Sequence, residues 1–128
     1  MKILGIGVDL IENKRISNLI NNKSFIKRTF GKNEVNLAKK FPNKINYYAK
    51  RFAAKEAFAK SLGTGFRNNL NFKDIEILND KIGKPYFSKS KKINQIIIKK
   101  FKVKKFDLFL SISDEKDYSV AFTILQTK

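Results

Sequence analysis

The segment "RFAAKEAFAKSLGTG", residues 51–65, predicts the end of a helix followed by a glycine turn. We expect this helix to run from about Lys44 to Leu62. At about 100° per residue, one stripe of the helix holds Ala49, Phe52, Ala53, Glu56, Ala57 and Lys60. A stripe of alanine and phenylalanine is typical of a packed face. The glutamate and the lysine on it therefore need a reason.

Two interpretations of Glu56 and Lys60 remain open from the helix alone. A glutamate followed four residues later by a lysine stabilises a helix by about 0.2–0.5 kcal/mol, and this is the ordinary interpretation. On a packed face, however, a carboxylate costs several kcal/mol to bury unless it is paired or binds a cation. Glu56 is therefore a candidate metal ligand.

The segment "GIGVDLIE", residues 5–12, belongs to an alternating stretch that predicts a first strand over residues 2–11. One face holds Ile3, Gly5, Gly7, Asp9 and Ile11. The other face, which we expect to be an ordinary core face, holds Leu4, Ile6, Val8 and Leu10. Glycines within a strand often mark the close approach of another element.

Close packing of the alanine stripe on this glycine face would bring Asp9 near Glu56. Two neighbouring carboxylates repel each other, and a cation between them relieves the repulsion. The alternative is that Asp9 ends the strand and caps the following turn. Two other motifs also have a purely structural interpretation. "SLGTG" can be an ordinary helix end, and "GKP" at residues 83–85 can be a hairpin turn with a solvated lysine.

The remaining patterns predict an α+β domain over residues 1–128, with one long helix packed on a small, mostly antiparallel sheet. We expect shorter helices over residues 12–21, 24–30, 33–40 and 93–101, and strands near residues 75–77, 86–87, 106–113 and 118–125. The last two strands are joined by "DEKD", which indicates a hairpin.

Composition restricts the chemistry. The chain has 128 residues, no cysteine and no histidine, so thiolate and imidazole chemistry are excluded and any metal must be held by oxygen, as Mg²⁺ is. The start of the chain is interpreted as a strand rather than a signal peptide, and no apolar run approaches the roughly 18–20 residues that span a bilayer. We expect a cytoplasmic protein.

The net charge of +17 predicts an anionic partner. It also allows an alternative function, a lysine-rich nucleic-acid-binding module without catalysis. However, the cations are 24 Lys and only 4 Arg, spread along the chain, whereas readers of nucleic acid favour Arg. Genomic composition bias can account for part of this lysine content. The alternative also leaves Asp9, Glu56 and the glycines unexplained.

Four segments occur in an order that resembles a known family: residues 5–12, residues 51–65, "DIEILNDKIGKPYF" at 74–87 and "LSISDEKDYSVAF" at 110–122. The chain resembles, over nearly its whole length, the holo-acyl-carrier-protein synthase type of 4′-phosphopantetheinyl transferase. The resemblance implies that fold and transfer of the phosphopantetheine arm of coenzyme A to a serine of apo-acyl carrier protein. Adenosine 3′,5′-bisphosphate is then the other product, Mg²⁺ the cofactor and fatty acid biosynthesis the context.

The resemblance also implies roles for individual residues. Asp9 and Glu56 correspond to the metal ligands, and Lys60 to a lysine at the pyrophosphate, which makes these three the catalytic set. With Lys60, the positions that line the coenzyme site are Arg51, Gly65, Lys84 and Pro85. The helix that meets the acidic carrier protein carries Lys14 and Arg15.

Further expectations follow from the same resemblance. Many relatives have histidine where this chain has Asp114, and an aspartate there is a doubtful contact for a coenzyme phosphate. The proton acceptor is a carboxylate or a metal-ordered water. We expect a homotrimer with coenzyme sites between subunits and the final strands in the interface, and we expect neither nucleic acid nor a membrane as a partner. The larger two-lobed transferases do not fit the length.

Overall fold

The fold was determined as a computed structural model that describes residues 1–67 and 69–128. In chain order the elements are β1 (Ile3–Glu12), α1 (Asn13–Ser17), α2 (Lys23–Thr29), α3 (Lys32–Ala38), α4 (Lys44–Leu62), β2 (Ile77–Asn79), β3 (Pro85–Phe87), α5 (Lys91–Phe101), β4 (Phe106–Asp114) and β5 (Tyr118–Thr127). The predicted α+β class is confirmed. Within the described ranges, none of the helices combines the length and the apolar character that a membrane crossing requires.

Two antiparallel sheets form. The larger has the strand order β1-β5-β4, so the first strand of the chain pairs with the last. In this register Val8 lies opposite Phe122, and Phe122 lies opposite Ser111 on β4. The predicted hairpin of the last two strands is confirmed. Strands β2 and β3 form a separate two-stranded hairpin.

Helix α4 has the predicted bounds and both of its ends have a local cause. Asn43 precedes it, and the Asn43 side chain accepts a hydrogen bond from the backbone N–H of Asn46 (3.1 Å), which satisfies a donor of the first turn. Gly63 ends it with φ of 79°, a left-handed conformation that residues with a Cβ rarely adopt. Between these ends, most of the helix is buried.

Strand β1 and helix α4 approach each other more closely than any side chain would permit. A Cβ added at Gly7 would lie 1.8 Å from the carbonyl oxygen of Ala57, and one at Gly5 would lie 1.8 Å from that of Ser61. Both partners are backbone atoms, so no side chain can move aside. The predicted packing of the alanine stripe on the glycine face is therefore confirmed, and it fixes Asp9 beside α4.

The prediction for the other face of β1 is wrong. Leu4 is partly buried against the core, but the other three apolar residues of this face are not in the core: Ile6, Val8 and Leu10 are 59%, 53% and 65% exposed. The reason is that α4 covers only one side of the three-stranded sheet. The exposed apolar residues of β1 lie on the other side, which no described part of this single chain covers. The core instead lies between α4 and the glycine face, with Ala53, Ala57 and Leu125 fully or almost fully buried.

Two helix boundaries also differ from the prediction. Helix α1 ends at Ser17 rather than near Asn21, and turns follow it. Helix α3 spans Lys32–Ala38 rather than residues 33–40, with Gly31 at its N-cap. The cap is partly local, because Glu34 accepts a hydrogen bond from the backbone N–H of Gly31 (3.0 Å), and partly distant, because a Glu76 oxygen accepts from the backbone N–H groups of Asn33 (3.0 Å) and Glu34 (3.3 Å).

Candidate active site

The structure brings together the two acids that the sequence singled out. Asp9 follows Gly7 on the face of β1 that touches α4, and Glu56 precedes Ala57, the residue that Gly7 contacts. Burial raises the pKa of the Glu56 carboxyl, and the charge of Asp9 raises it further. The charges of Lys60 and Arg15 oppose this rise in pKa. Four charged groups therefore act on one another at a single point of the molecule.

Lys60 contacts the strand. Its Nζ lies 3.1 Å from Oδ1 of Asp9 and donates a hydrogen bond to the carbonyl oxygen of Val8 (3.0 Å). Among the ion pairs of residues 1–67 and 69–128, the partner of Lys60 is Asp9 and not Glu56. Lys60 therefore pairs directly with Asp9 and acts on Glu56 through its charge. Lys60 instead holds one of the two carboxylates, and its side chain remains about half exposed, where an anionic ligand can reach it.

A cleft of 510 Å³ opens beside Glu56. Arg15 lies at the same opening, with its guanidinium carbon 5.8 Å from the centre of the Phe52 ring. The rings of Phe66, Phe72 and Phe52 stack in series, with centroid distances of 3.9 Å and 5.3 Å. The cleft thus has a charged end and an apolar wall, which suits a ligand with an anionic head and a less polar arm.

The residues present fit a hard divalent cation. Asp9 and Glu56 supply carboxylate oxygens, the ligands that Mg²⁺ prefers. Burial, and after it the charge of Asp9, raises the pKa of Glu56, and a cation between the two carboxylates relieves their repulsion. No group of three or more acids or histidines capable of holding a metal occurs among the described residues. Asp9 and Glu56 are the two acids that the junction of β1 and α4 brings together.

The residues that the resemblance assigns to the coenzyme fall into two groups. Arg51 is buried, stacks over the ring of Tyr47 at 3.7 Å and donates a hydrogen bond to the Asn79 side chain. Asn79 is paired with Pro85, and Lys84 precedes Pro85 in the exposed turn. Arg51, Lys84 and Pro85 therefore share one region, at the β2–β3 hairpin.

Lys60 and Gly65 lie towards the other end of α4. Lys60 lies nine positions after Arg51 on α4, which is about 14 Å along a helix axis. Neither Arg51 nor the hairpin lines the cleft beside Glu56. The structure does not bring all five coenzyme positions into one cleft of a single chain.

Lys14 and Arg15 lie on α1 and are both exposed. Arg15 also lines the cleft, and its charge lowers the pKa of Glu56. The sequence did not predict this second position. Asp114, at the end of β4, accepts a hydrogen bond from the Asn46 side chain (2.9 Å) and lies 3.9 Å from Nζ of Lys50. Its carboxylate is therefore already engaged by groups of α4.

Sequence reasoning missed two features of this region. The aromatic wall combines Phe52 of the stripe with Phe66 and Phe72 from beyond the helix, and no spacing rule joins them. Lys55 and Glu34 form an ion pair at 2.6 Å with both side chains completely buried. Burial raises the pKa of Glu34 and lowers that of Lys55. Nothing in the sequence distinguishes Lys55 from the many exposed lysines except its position next to the predicted buried stripe of α4. That position was the one signal that Lys55 could be buried.

Comparison with known proteins agrees with this geometry. Residues 5–123 match the family model of the 4′-phosphopantetheinyl transferase superfamily. The holo-[acyl-carrier-protein] synthase of Pelagibacter ubique is 62% identical over the full length of both chains. The solved structure of the Neisseria meningitidis holo-[acyl-carrier-protein] synthase has a TM-score of 0.87 at 36% identity and covers 98% of this chain and 99% of its own.

A second solved structure includes a ligand. It is a holo-(acyl-carrier-protein) synthase from Bacillus anthracis in complex with CoA (3′,5′-ADP). Its TM-score is 0.82 at 35% identity, and all of both chains is covered. The fold, the paired carboxylates and these matches define a phosphopantetheinyl transferase. Within that superfamily the chain belongs to the holo-[acyl-carrier-protein] synthases.

Proposed function

We propose that this enzyme transfers the 4′-phosphopantetheine arm of coenzyme A to a serine of apo-acyl carrier protein, with Mg²⁺ at Asp9 and Glu56. The observation that carries the proposal is the junction of β1 and α4, where bare glycines bring these two acids together beside Lys60. The Bacillus anthracis relative, with its bound CoA (3′,5′-ADP), supports the choice of coenzyme. We place the reaction in fatty acid biosynthesis and in the cytoplasm, as predicted from the sequence.

The reaction is attack of the serine oxygen on the β-phosphorus of coenzyme A. The new bond joins that oxygen to phosphorus, and the bond to the departing phosphate breaks, which releases adenosine 3′,5′-bisphosphate. Asp9 and Glu56 would hold Mg²⁺, which would supply charge neutralisation for the pyrophosphate. The ammonium group of Lys60 would donate to the pyrophosphate. The work of the site is positioning and electrostatic stabilisation.

The proton of the serine hydroxyl needs an acceptor. The chain has no histidine or cysteine, so the acceptor is a carboxylate of the site or an ordered water molecule. Arg15, at the mouth of the cleft, keeps the local charge from becoming too negative for the anionic coenzyme. We assign the remaining coenzyme contacts to Arg51, Gly65, Lys84 and Pro85.

The carrier protein is the acidic partner in this proposal, and α1 is its docking element. Lys14 and Arg15 are exposed side by side on that helix. Exposed charges of this kind raise the rate of encounter with an oppositely charged protein. The position of Arg15 at the cleft gives the docked protein a short path for its serine to the metal ligands.

We also propose a homotrimer. The uncovered side of the larger sheet presents exposed apolar residues on all three strands: Ile6, Val8 and Leu10 on β1, Phe109 on β4, and Tyr118 and Phe122 on β5. A contiguous apolar patch of this kind is typical of an interface. The separation of the coenzyme positions along α4 supports the same conclusion, because a neighbouring subunit can complete each site.

Formation of adenosine 3′,5′-bisphosphate from coenzyme A and an apo carrier protein tests the function. We expect product with Mg²⁺, none with a chelator and none without the carrier protein. The alternative, a nucleic-acid-binding module, predicts no product under any of these conditions and salt-sensitive binding to nucleic acid. It explains the net charge but assigns no role to the paired acids.

A further inference from the structure

Lys55 makes three contacts from a fully buried position. Its Nζ lies 2.6 Å from Oε1 of Glu34 and 2.9 Å from the carbonyl oxygen of Phe72, and it also donates to the carbonyl oxygen of Ile75. An ammonium group has three donors, so each finds an acceptor. The three acceptors come from α3 and from the segment Phe72–Ile77, which lies between α4 and the β2–β3 hairpin.

Glu34 extends the same arrangement. Its Oε1 also accepts a hydrogen bond from the backbone N–H of Gly31 (3.0 Å), and its Oε2 accepts one from the backbone N–H of Ile77 (3.1 Å). The segment Phe72–Ile77 is thus held at Phe72 and Ile75 by Lys55, and at Ile77 by Glu34. One buried ion pair therefore fixes the segment against α4 through Lys55 and against α3 through Glu34.

Stability alone is a poor reason for this pair. Each buried ion loses several kcal/mol of hydration, and well-packed apolar side chains of similar volume are often equally or more stabilising. What apolar side chains lack is direction. Hydrogen bonds from one ammonium group to carbonyl oxygens specify where Phe72 and Ile75 must lie relative to α4.

The segment has two connections to the active site. The ring of Phe72 stacks between Phe66 and Phe52 and forms the wall of the cleft that Glu56 lines. Beyond Ile77 the chain continues into the hairpin, where Asn79 contacts Arg51 and pairs with Pro85. Lys55 itself precedes Glu56 on α4.

We propose that Lys55, together with Glu34, is a positioning residue that holds the segment Phe72–Ile77 in place, so that the cleft wall and the coenzyme-lining hairpin keep a fixed position relative to Glu56. The inference rests on the proposed function. Lys55 does not touch the reacting atoms, and its effect passes through Phe72 and the hairpin.

The test uses the double variant Lys55→Met/Glu34→Gln, which removes both charges and keeps the side-chain lengths. We expect its KM for coenzyme A to rise at least tenfold while kcat changes less than threefold. We also expect amide hydrogen exchange of Ile77, whose N–H bonds to Glu34, to become faster. The Mg²⁺-induced rise in melting temperature should persist, because Asp9 and Glu56 are unchanged.

Lys92→Met is the matched control, because Lys92 pairs with Asp74 of the same segment at 2.7 Å but ties it to α5 instead of α4. We expect its KM for coenzyme A to stay within twofold of the parent value. If the double variant melts earlier but keeps the parent KM and kcat well below its melting temperature, the pair is only structural and the inference is wrong.

Two further outcomes are kept apart. If the double variant does not fold, Lys55→Gln, which retains an amide donor, is measured by the same kinetics and exchange, and unchanged values overturn the inference. If the parent enzyme itself fails to modify a carrier protein, the proposed function is wrong. In that case direct calorimetric binding of coenzyme A still decides the positioning role, and equal affinities of parent and double variant overturn it.

Discussion

Adding one methyl group at Gly7 should disable the enzyme through its backbone. The Cβ of Gly7→Ala would lie 1.8 Å from the carbonyl oxygen of Ala57, whereas ordinary contacts begin at 3.4 Å. Strand and helix must therefore separate by about 1.6 Å. Overpacking of this kind destabilises by about 1–3 kcal/mol, and we expect the upper end because both partners are backbone.

The same displacement acts on catalysis. Asp9 lies two residues beyond Gly7 on the same face of β1, so it moves away from Glu56 with the strand. A misplacement of about 1 Å can reduce a rate by about 100-fold, and we expect at least this loss in kcat/KM. The assay is thermal unfolding by circular dichroism together with steady-state kinetics at saturating Mg²⁺.

Gly63→Ala is the control for this experiment. It adds the same methyl group at a site where no atom lies within 4 Å, although φ of 79° imposes a local cost of about 1–2 kcal/mol. Its melting temperature should fall while its turnover stays near the parent value. The reasoning is refuted if Gly7→Ala matches Gly63→Ala in stability and retains parent turnover and Mg²⁺ affinity.

Three other predictions concern charge and assembly. Burial and Asp9 raise the pKa of Glu56 above 4.5, so without metal the cost of its charge is absent below pH 4.5 and grows as pH rises through the folded pKa. Without metal, Glu56→Gln should therefore have a melting temperature at or above that of the parent at pH 7, and the difference should vanish near pH 4. Mg²⁺ at 100 times its Kd should stabilise the parent by roughly 2.7 kcal/mol and the variant much less. A rise in melting temperature with Mg²⁺ as large in the variant as in the parent would contradict the metal assignment. Lys14→Glu should raise the KM for the carrier protein several-fold at low salt and much less at about 0.5 M salt, where exposed charges are screened. The control Lys128→Glu should change this KM little. If both variants raised the KM equally, α1 would not be the docking site. If the proposed homotrimer forms through the apolar sheet face, Phe122→Lys should give monomers in light scattering because it places a charge in that face. A variant with the oligomeric state of the parent would mean that the interface lies elsewhere.

Local patterns were enough to predict α4 and the β4–β5 hairpin. The bounds of α4 are set by Asn43 and Gly63, which act within a turn of the helix ends. The meeting of Asp9 with Glu56 was also predictable, because bare glycines on one element and alanines on the other leave a single way to pack. These features need only nearest-neighbour geometry and residue size.

What could not be predicted depends on partners remote in sequence. The alternating pattern identifies the two faces of β1 but not which of them packs on α4. The face with Ile6 and Val8 was wrongly predicted to be a core face, because apolar residues usually are buried but these two are exposed in the single chain. The start of α3 depends in part on Glu76, more than forty residues away. The buried pair of Lys55 with Glu34 needs three segments to converge, and no period in the sequence records that.

The most direct test of the account is the mass of the carrier protein after incubation with the enzyme, coenzyme A and Mg²⁺. The account predicts one phosphopantetheine group on a single serine of the carrier protein, with an equal molar amount of adenosine 3′,5′-bisphosphate. It predicts no modification with Asp9→Asn or Glu56→Gln, provided that these variants are folded and have the same oligomeric state as the parent. An unmodified carrier protein with the parent enzyme, or full modification by both variants, would contradict the central claim.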